Sequence, residues 1–268
     1  MKPETKYDHL GRLKMILHNR FFRVERPSAL RVEYLKALCL AIDDALLYLE
    51  VSLDDFWVLA KDWEKTEPKL FEDSGSLMDF YQSWNDSFAK QNICANTLNQ
   101  LLYLEVYSTC AYFSRNASST IDFGCGTAAL SLGLLLNKHL SGQLLLLDVP
   151  NDVSRFVEFR KSRHALENVQ LQDALEFHGD DLADLVICID VLEHIENSTE
   201  VFCKKIYPML KKGGLLIMRA PWRGQLTHID KAAEDFYLNG GRKLLSRNFR
   251  EIYRFGSLDI ACVYQRMS

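Results

Sequence analysis

A short glycine-containing segment in the middle of the chain, Thr120-Ile-Asp-Phe-Gly-Cys-Gly-Thr-Ala128, is typical of a ligand-binding loop. Gly124 and Gly126 let the backbone turn sharply and approach a ligand, because glycine has no Cβ atom to collide with it. The segment follows a predicted strand and opens a predicted helix, Ala129–His139, whose free N–H groups face the same point. In a doubly wound sheet, ligands bind there, beyond the carboxyl ends of the strands.

An acid at the end of the next predicted strand strengthens the case for a nucleotide site. Asp148 follows the apolar run Leu144-Leu-Leu-Leu147 and lies 22 residues after Gly126. Acids at roughly this separation, about 20 residues, bind ribose hydroxyls in such folds. The glycine pattern is incomplete as a dinucleotide fingerprint, because Thr-Ala follows Gly-x-Gly. These residues alone therefore fit many kinds of nucleotide-binding protein.

Two histidines follow later strands and are candidates for proton transfer. His194 follows the fourth predicted strand, and His228 lies in the polar loop that follows the fifth. Both are therefore expected near the sheet edge where ligands bind, and imidazole titrates close to neutral pH. Each histidine could equally have a structural role: His194 could orient its own loop, and His228 could be a solvated loop residue.

After Ser118, predicted strands alternate with predicted helices, as in an α/β protein. Helices fit between the first five strands, which predicts a doubly wound, mostly parallel sheet covered on both faces. Only Gly256-Ser257 separates the last two strands, which predicts an antiparallel hairpin at the end of this seven-stranded sheet. The predicted strands are Thr120–Phe123, Gln143–Asp148, Val169–Gln172, Leu185–Asp190, Gly214–Arg219, Glu251–Phe255 and Leu258–Gln265.

The chain before this region has a helical pattern, with apolar residues at three- and four-residue spacing in stretches such as Ala29–Glu50. Ser52, followed by two acids, predicts a helix start. We therefore expect two parts: residues 1–117 as a helical lid or substrate segment and residues 118–268 as the nucleotide-binding domain. Tyr81 and Trp84 are the candidate lid contacts, although aromatic residues on an amphipathic helix also commonly form its core.

Taken in order, five motifs resemble those of the class I S-adenosylmethionine-dependent methyltransferases. The resemblance covers Ser118 to Ser268, and the third glycine of the usual first motif is replaced by Ala128. The motifs are Asp122-Phe-Gly124-Cys-Gly126-Thr, Asp148, Gln172-Asp173-Ala174, Asp184-Leu-Val-Ile-Cys-Ile-Asp190-Val-Leu-Glu193-His194-Ile and Leu210-Lys-Lys-Gly213-Gly214-Leu-Leu-Ile-Met.

The resemblance implies an enzyme that moves the methyl group of S-adenosylmethionine to an acceptor. It implies that Asp122 holds the glycine loop and that Asp148 binds ribose. We expect the acceptor to be a small molecule, methylated at a hydroxyl oxygen with His228 or His194 as the base. The residues expected to bind the cofactor are Asp122, Gly124, Cys125, Gly126, Asp148, Val149, Asp173, Ala174, Asp190 and Val191.

The composition of the chain indicates which kinds of partner and which cellular compartment to expect. The net charge of −4 and the lack of a basic stripe argue against nucleic acid as a partner. The seven cysteines contain no CxxC pair, and the N-terminus has no apolar signal region. No apolar run is long enough to span a bilayer. We therefore expect a cytoplasmic protein that has no membrane partner, and the sequence leaves its oligomeric state open.

Several alternatives stay open at this point. Asp190, Glu193, His194 and His228 resemble the metal set of some O-methyltransferases, although those enzymes have Glu in place of Asp190. The acceptor atom could be nitrogen or carbon, and the chain could be a pseudoenzyme or partner subunit that binds cofactor without catalysis. An aminopropyl transferase lacks support because no additional acidic cluster lies near Asp190. A dehydrogenase is disfavoured by the position of Asp122 before the glycines.

Overall fold

The computed structural model describes residues 30–74, 76–84, 86–222, 230–255 and 260–267. Before the sheet begins, the described chain is helical, as the apolar spacing predicts, and we call residues 30–113 the helical segment. Its helices are α1 (Arg31–Leu49), α2 (Leu53–Asp73), α3 (Leu77–Gln82), α4 (Asp86–Asn99) and α5 (Leu104–Phe113).

Helix α2 begins where the sequence predicts, because Ser52 caps its first turn. The Asp55 amide donates to Ser52 Oγ at 3.1 Å, and the Ser52 amide donates back to Asp55 Oδ2 at 3.2 Å. This reciprocal pair satisfies two N–H groups that the helix itself leaves without partners. Asp54 and Asp55 also place negative charge at the positive end of the helix dipole.

A seven-stranded sheet follows, with the order β3-β2-β1-β4-β5-β7-β6. The first five strands run parallel, while β7 pairs antiparallel with both β5 and β6. The predicted α/β fold with a closing antiparallel hairpin is thereby confirmed; the turn Gly256-Ser257 lies outside the described residues. The strands are β1 (Ser119–Phe123), β2 (Gln143–Asp148), β3 (Val169–Asp173), β4 (Ala183–Ile189), β5 (Leu210–Ala220), β6 (Phe249–Arg254) and β7 (Ile260–Arg266).

Helices cover both faces of the sheet. The elements between the strands are α6 (Ala129–Leu136), α7 (Asp152–Arg163), a 3₁₀ turn (Leu192–His194), α8 (Ser198–Val201), a π-helical segment (Phe202–Ile206), α9 (Tyr207–Met209), α10 (Asp230–Leu238) and α11 (Gly241–Asn248). Helix α6 ends at Leu136, three residues before the predicted His139, and Lys138 beyond it has a left-handed φ of 62°.

The connection from β3 to β4 differs from the sequence-based expectation of a helix between these strands. Residues 174–182 form turns and irregular backbone, and this short stretch leaves no room for a helix of several turns and its two loops. The Lys205 ammonium fixes the connection instead by donating to the carbonyls of Ala174 and Leu175 at 2.7 and 2.6 Å.

The buried core lies on both sides of the sheet. Leu144 and Leu146 of β2 pack with the helical segment and α6, whereas Leu147 packs with the elements around the β4–β5 crossover. A strand that is buried on both faces has a continuous run of apolar residues, and Leu144–Leu147 therefore shows no alternation of apolar and polar residues. A further cluster inside the helical segment includes Phe56, Trp63 and Phe80 and also contacts Phe156 of α7.

A buried ion network joins α1 to α7. Asp44 is fully buried and accepts hydrogen bonds from Arg160 Nε and Arg163 Nη1, both at 2.8 Å, while His164 Nε2 lies 2.9 Å from it. Arg160 is 1% exposed. The neighbouring acid, Asp43, meets only the outer part of the network, through Arg163 Nη2 at 2.6 Å, and is exposed. The helical segment is therefore fastened to the α/β domain by charge as well as by apolar packing.

Within the described residues, no helix is long and apolar enough to cross a membrane.

The adjacent acids Asp43 and Asp44 provide a matched test of this network. Asp44→Ala should lower the free energy of unfolding by about 3–5 kcal/mol, because it leaves the Arg160 guanidinium buried without its counter-charge. Asp43→Ala should cost about 0–1 kcal/mol, as expected for an exposed pair. Urea denaturation of the two variants measures both values, and equal losses would contradict a special role for the buried pair.

Candidate functional site

A large cavity lies at the carboxyl ends of the parallel strands, between the sheet edge and the helical segment. Its volume is about 840 Å³, within the usual range of about 300–1,000 Å³ for pockets that bind small molecules. The sheet edge contributes the residues after β1, β2, β3, β4 and β5, and helices α3 to α5 with their connecting turns form the opposite wall. The cavity therefore lies where the sequence predicts the ligand site.

The glycine loop, which we define as Gly124–Ala128, forms one end of the cavity. Gly124 and Gly126 have φ values of 75° and 51°, the left-handed region that glycine adopts readily. A Cβ atom added to Gly124 would lie 2.4 Å from Cγ2 of Val191, so this glycine allows the loop to pack against the turn after β4. The amides of Gly124 and Cys125 donate to the Leu147 carbonyl at 2.8 and 3.1 Å.

Ala128, at the position of the third glycine in the motif, is also left-handed, with a φ of 52°. An alanine in this conformation costs roughly 1–2 kcal/mol relative to glycine. Ala128 immediately precedes α6, and its side chain has no oxygen that could cap the first turn. The departure from the usual motif therefore preserves the backbone path and leaves the capping of α6 to another residue.

Asp148 ends β2 and holds the glycine loop. Its Oδ2 accepts a hydrogen bond from the Gly126 amide, and its Oδ1 accepts one from the Val149 amide at 2.7 Å. Burial raises the pKa of the Asp148 carboxyl, and these two backbone hydrogen bonds act in the opposite direction. A carboxylate fixed at the cavity wall, with remaining lone pairs, is suited to accept hydrogen bonds from ribose hydroxyls. The predicted ribose role of Asp148 therefore fits this geometry.

Asp122 lies beneath the loop at the end of β1 and also lines the cavity. It is 6% exposed, and burial raises its pKa to about 7, with a further contribution from the nearby charge of Asp148. The role of Asp122 in holding the loop stays a prediction. Leu147 and Asp148 make the loop hydrogen bonds described above, and a carboxyl with the pKa of Asp122 is partly protonated at neutral pH.

The turn after β4 brings a second charged group to the cavity. Asp190 has a left-handed φ of 57°, and the Arg219 guanidinium from the end of β5 donates to its Oδ2. Burial raises the pKa of Asp190 to about 6, although the charge of Arg219 lowers it. In the described part of the chain, Asp190 Oδ1 is buried without a hydrogen-bond partner, so it can accept one from a ligand. Val191, predicted with Asp190, lines the same wall.

His194 lines the cavity from the short 3₁₀ turn, while Glu193 is fully buried beside it. His194 Nε2 lies 4.0 Å from Glu193 Oε1, which is longer than a hydrogen bond. Burial, together with the charge of Asp190, raises the pKa of Glu193 well above its usual range. This shift favours the protonated form of the Glu193 carboxyl.

The residues after β3 contribute mainly backbone hydrogen bonds to the site. Ala174 and Leu175 line the cavity, and the Ala174 amide donates to the Asp148 carbonyl at 2.9 Å. The carboxylate of Asp173 accepts from the Leu175 amide at 2.7 Å and so stabilises the turn. Of the two residues predicted here to bind the cofactor, Ala174 therefore lines the cavity, whereas the Asp173 side chain stabilises the turn that follows β3.

The helical segment supplies an apolar and aromatic wall. Tyr81 and Trp84, the predicted lid contacts, both line the cavity, and Met78, Leu102 and Tyr103 join them. Trp84 is also part of the buried core of the segment, so this residue both lines the cavity and contributes to the core. Tyr81 meets the His194 ring edge-on, with centroids 6.3 Å apart, and the Arg219 guanidinium lies 4.3 Å from the centre of the Tyr103 ring.

Gln100, at the end of α4, is a site residue that the sequence analysis did not identify. Its Nε2 donates to the Cys125 carbonyl at 2.6 Å, and its Oε1 accepts from the Ala129 amide at 2.7 Å. Nothing in the local sequence distinguishes this glutamine from others on polar helix surfaces. Only the fold brings it against a loop that begins more than twenty residues later in the chain.

His228 lies outside the described residues, so its predicted place at the acceptor site stays a prediction. The same holds for the metal set, of which His228 is the fourth member. Among the residues that the structure describes, no three His, Cys, Asp or Glu side chains are grouped as metal ligands. In the described residues, the nearest charged partner of Asp190 is Arg219.

Comparison with known families gives one match. The model of a methyltransferase domain matches residues 114–256, slightly more than half of the 268-residue chain. The matched region begins at the end of α5 and contains the glycine loop, Asp148, Asp190 and His194. No curated protein matches the chain by sequence.

Several solved structures are similar to this chain at low sequence identity. An O-methyltransferase family protein from Burkholderia thailandensis is 14% identical with a TM-score of 0.52, over 80% of this chain and 70% of that protein. A SAM-dependent methyltransferase from Aquifex aeolicus is 14% identical with a TM-score of 0.41, over 56% of this chain and 82% of that one. The YcgJ protein of Bacillus subtilis is 17% identical with a TM-score of 0.37, over 42% of this chain. The match spans about half (49%) of YcgJ.

The raised pKa of Asp122 predicts a specific dependence of stability on pH. The folded pKa of about 7 exceeds the ordinary value of 3.8, so between these values the folded state binds more protons than the unfolded state. The free energy of unfolding should therefore fall as pH rises from about 4 to about 7, by up to about 4 kcal/mol from this group. Asp122→Asn should remove this loss, so its free energy of unfolding should increase relative to that of the wild type as the pH rises over that range.

Thermal and urea unfolding without added ligand, from pH 4 to pH 8, measure this difference. The exposed acid Asp180 provides the control, since Asp180→Asn should follow the wild-type curve. Parallel curves for the wild type and Asp122→Asn would show that Asp122 ionises freely, against the expectation from its burial.

Proposed function

Since the chain belongs to the methyltransferase domain family and uses S-adenosylmethionine as methyl donor, we propose that it methylates a hydroxyl oxygen of a small molecule. The family, the fold and the cofactor inferred from the motif resemblance are thereby confirmed. The observation that carries the proposal is the cavity, which joins a glycine loop and a ribose-type acid at one end to an apolar, aromatic wall at the other.

The residues at the first end fit the cofactor. Asp148 presents carboxylate oxygens for ribose hydroxyls, and the left-handed glycines leave the loop free of side chains that would block a ligand. Ala174 and Val191 add apolar surface on either side for an adenine ring. The unpartnered Oδ1 of Asp190, among the described groups, is available to a donor such as an ammonium. When bound, the cofactor supplies the electrophilic methyl group and its own leaving group.

The other end fits a small acceptor with apolar or ring character. Met78, Trp84 and Leu102 would enclose it, and the helical segment would exclude water from the reaction. We regard residues 1–117 as the acceptor-binding and lid part and residues 118–268 as the catalytic domain. A nucleic acid is a poorer candidate, because the chain has a net charge of −4 and the described cavity wall presents few cations.

The reaction itself requires alignment and the removal of a proton. Methyl transfer is an in-line displacement, so holding the acceptor oxygen close to the methyl group supplies much of the rate. A hydroxyl nucleophile must also lose its proton to a base near neutral pKa. We assign this role to His228, with His194 as the second candidate because His194 lines the cavity.

The compartment that fits this function is the cytoplasm. All seven cysteines are free thiols, and most of them are buried. Free thiols persist in a reducing environment, where a small-molecule biosynthetic enzyme would find its cofactor.

The proposal is tested by incubating the protein with methyl-tritiated S-adenosylmethionine and a panel of small molecules that carry phenol, alcohol, amine or thiol groups. Protein and RNA from a cell extract form a parallel set. We expect label in a methyl ether of a small molecule. Label on an amine would replace the oxygen acceptor with nitrogen, and label only in protein or RNA would overturn the small-molecule assignment. Cofactor binding without transfer to any acceptor would favour the pseudoenzyme alternative.

With the acceptor found in this way, His228→Ala should slow methyl transfer by about 10²–10⁴-fold, the usual contribution of a general base. Its affinity for S-adenosylhomocysteine should be unchanged. His178→Ala is the control, because His178 is exposed on the β3–β4 connection. Unchanged turnover in His228→Ala would exclude His228 as the base, and the same assay on His194→Ala would then decide for or against the second candidate.

A further inference from the structure

The glycine loop is held by residues that do not belong to the motif. The first of these is Gln100 at the end of α4. Beyond its bonds to Cys125 and Ala129, it accepts a hydrogen bond from Thr127 Oγ1 at 3.2 Å. Its amide thus binds a carbonyl, a hydroxyl and an N–H group within five consecutive residues. Each of these polar groups would otherwise need water or the ligand as its partner.

Gln100 also replaces the missing cap of α6. The first N–H groups of a helix have no partner within it, and a side-chain oxygen at the position before the helix usually accepts from one of them. Ala128 stands at that position and has no such oxygen. Gln100 Oε1 accepts from the Ala129 amide instead. A residue of the helical segment therefore caps the helix that follows the glycine loop.

Gln100 fits closely against Gly126. A Cβ atom added to Gly126 would lie 2.4 Å from Gln100 Nε2, which is too close for any real contact. The absence of a side chain at Gly126 therefore makes room for the Gln100 amide as well as for the turn of the loop. Gln100 also lines the cavity, so one residue contacts both the glycine loop and the space available to a ligand.

A second contact reaches the loop from the buried ion network. Arg160 Nη1 donates to the Thr127 carbonyl at 2.9 Å, and its Nε is bound to Asp44 of α1 at 2.8 Å. Both side chains are almost completely buried. The orientation of this guanidinium is therefore set by the helical segment, through Asp44, although Arg160 belongs to α7.

We propose that Gln100 is a positioning residue of the cofactor site, and that the helical segment fixes the glycine loop in its ligand-binding shape before the cofactor arrives. Gln100 and the Asp44–Arg160 pair are the two contacts through which it does so. This inference rests on the cofactor assignment made above. It gives the helical segment a role in binding the cofactor, in addition to enclosing the acceptor.

The position of Gln100 also links the two ends of the cavity. Leu102 and Tyr103 lie two and three residues after Gln100 and line the acceptor wall, and Tyr103 packs on Arg219. The turn between α4 and α5 therefore contacts the glycine loop at its start and the acceptor wall at its end. Since coupling between two sites is reciprocal, ordering this turn with one ligand should favour the other.

Calorimetric titration with S-adenosylhomocysteine tests the proposal without any acceptor. Gln100→Met keeps the approximate length of the side chain and removes its hydrogen bonds, and it should weaken binding about tenfold or more, because the loop is no longer preorganised. Gln143→Met is the matched control: it is the same substitution at an exposed glutamine, which begins β2 and is not among the residues that line the cavity. It should change the affinity by less than about twofold.

Hydrogen–deuterium exchange supplies a readout that a general loss of stability would not give. In the ligand-free Gln100→Met protein, exchange should accelerate in the peptide covering residues 124–130 and stay unchanged in the β5–β7 region. If Gln100→Met folds poorly, Gln100→Glu allows the same comparison, because it keeps an oxygen for the Ala129 amide and loses the donor to Cys125. Gln100→Glu should bind S-adenosylhomocysteine more weakly than the wild type does. Its Ala129 amide should exchange more slowly than the same amide in Gln100→Met.

The outcomes separate this inference from the cofactor assignment. A folded wild-type protein that binds neither S-adenosylhomocysteine nor S-adenosylmethionine would contradict the assignment itself. A wild type that binds, with Gln100→Met binding equally well and exchanging equally slowly at residues 124–130, would overturn the inference alone.

Discussion

The site depends on the hydrogen bond between the Gly126 amide and the Asp148 carboxylate, which joins the ends of β1 and β2. Strand pairing places the two elements side by side, with Phe123 opposite Leu147. The left-handed turn at Gly124 and Gly126 then directs the loop across the end of β2. Without that path the Asp148 carboxylate would have no backbone donor in the loop, and α6 would start in a different direction. The positions of the ribose-type acid and the helix N-terminus therefore follow from one backbone turn.

The same sheet edge concentrates acids that burial keeps from ionising freely. Asp122 and Asp190 have pKa values raised to about 7 and about 6, and only Asp190 has a cation, Arg219, bound to it among the described residues. Such a wall is more stable when a positively charged ligand shares it, since an opposite charge favours the ionised carboxyls. S-adenosylmethionine carries a fixed sulfonium charge, so the electrostatics of the cavity agree with the cofactor that the family uses.

Much of the fold could be predicted from the sequence because its signals are local. The alternation of apolar runs and helical patterns predicted all seven strands, and Gly124, Gly126 and Asp148 were identified from spacing alone. The helix expected between β3 and β4 was wrong because the connection is short and is fastened by Lys205, a contact that no local pattern encodes. Gln100, Arg219 and the Asp44–Arg160 pair were also not predicted, because each acts on a partner that is distant in sequence. The catalytic assignment of His228 stays a prediction.

Equilibrium titration of the purified protein and of Asp148→Asn with S-adenosylmethionine and S-adenosylhomocysteine tests whether this sheet edge is the cofactor site. We expect micromolar binding of both ligands by the wild type and a loss of at least about tenfold in Asp148→Asn, because this carboxylate holds the glycine loop and is the group that we propose for the ribose hydroxyls. The exposed-acid variant Asp180→Asn should bind as the wild type does. Binding that is unchanged in Asp148→Asn, or absent from a folded wild type, would contradict the account.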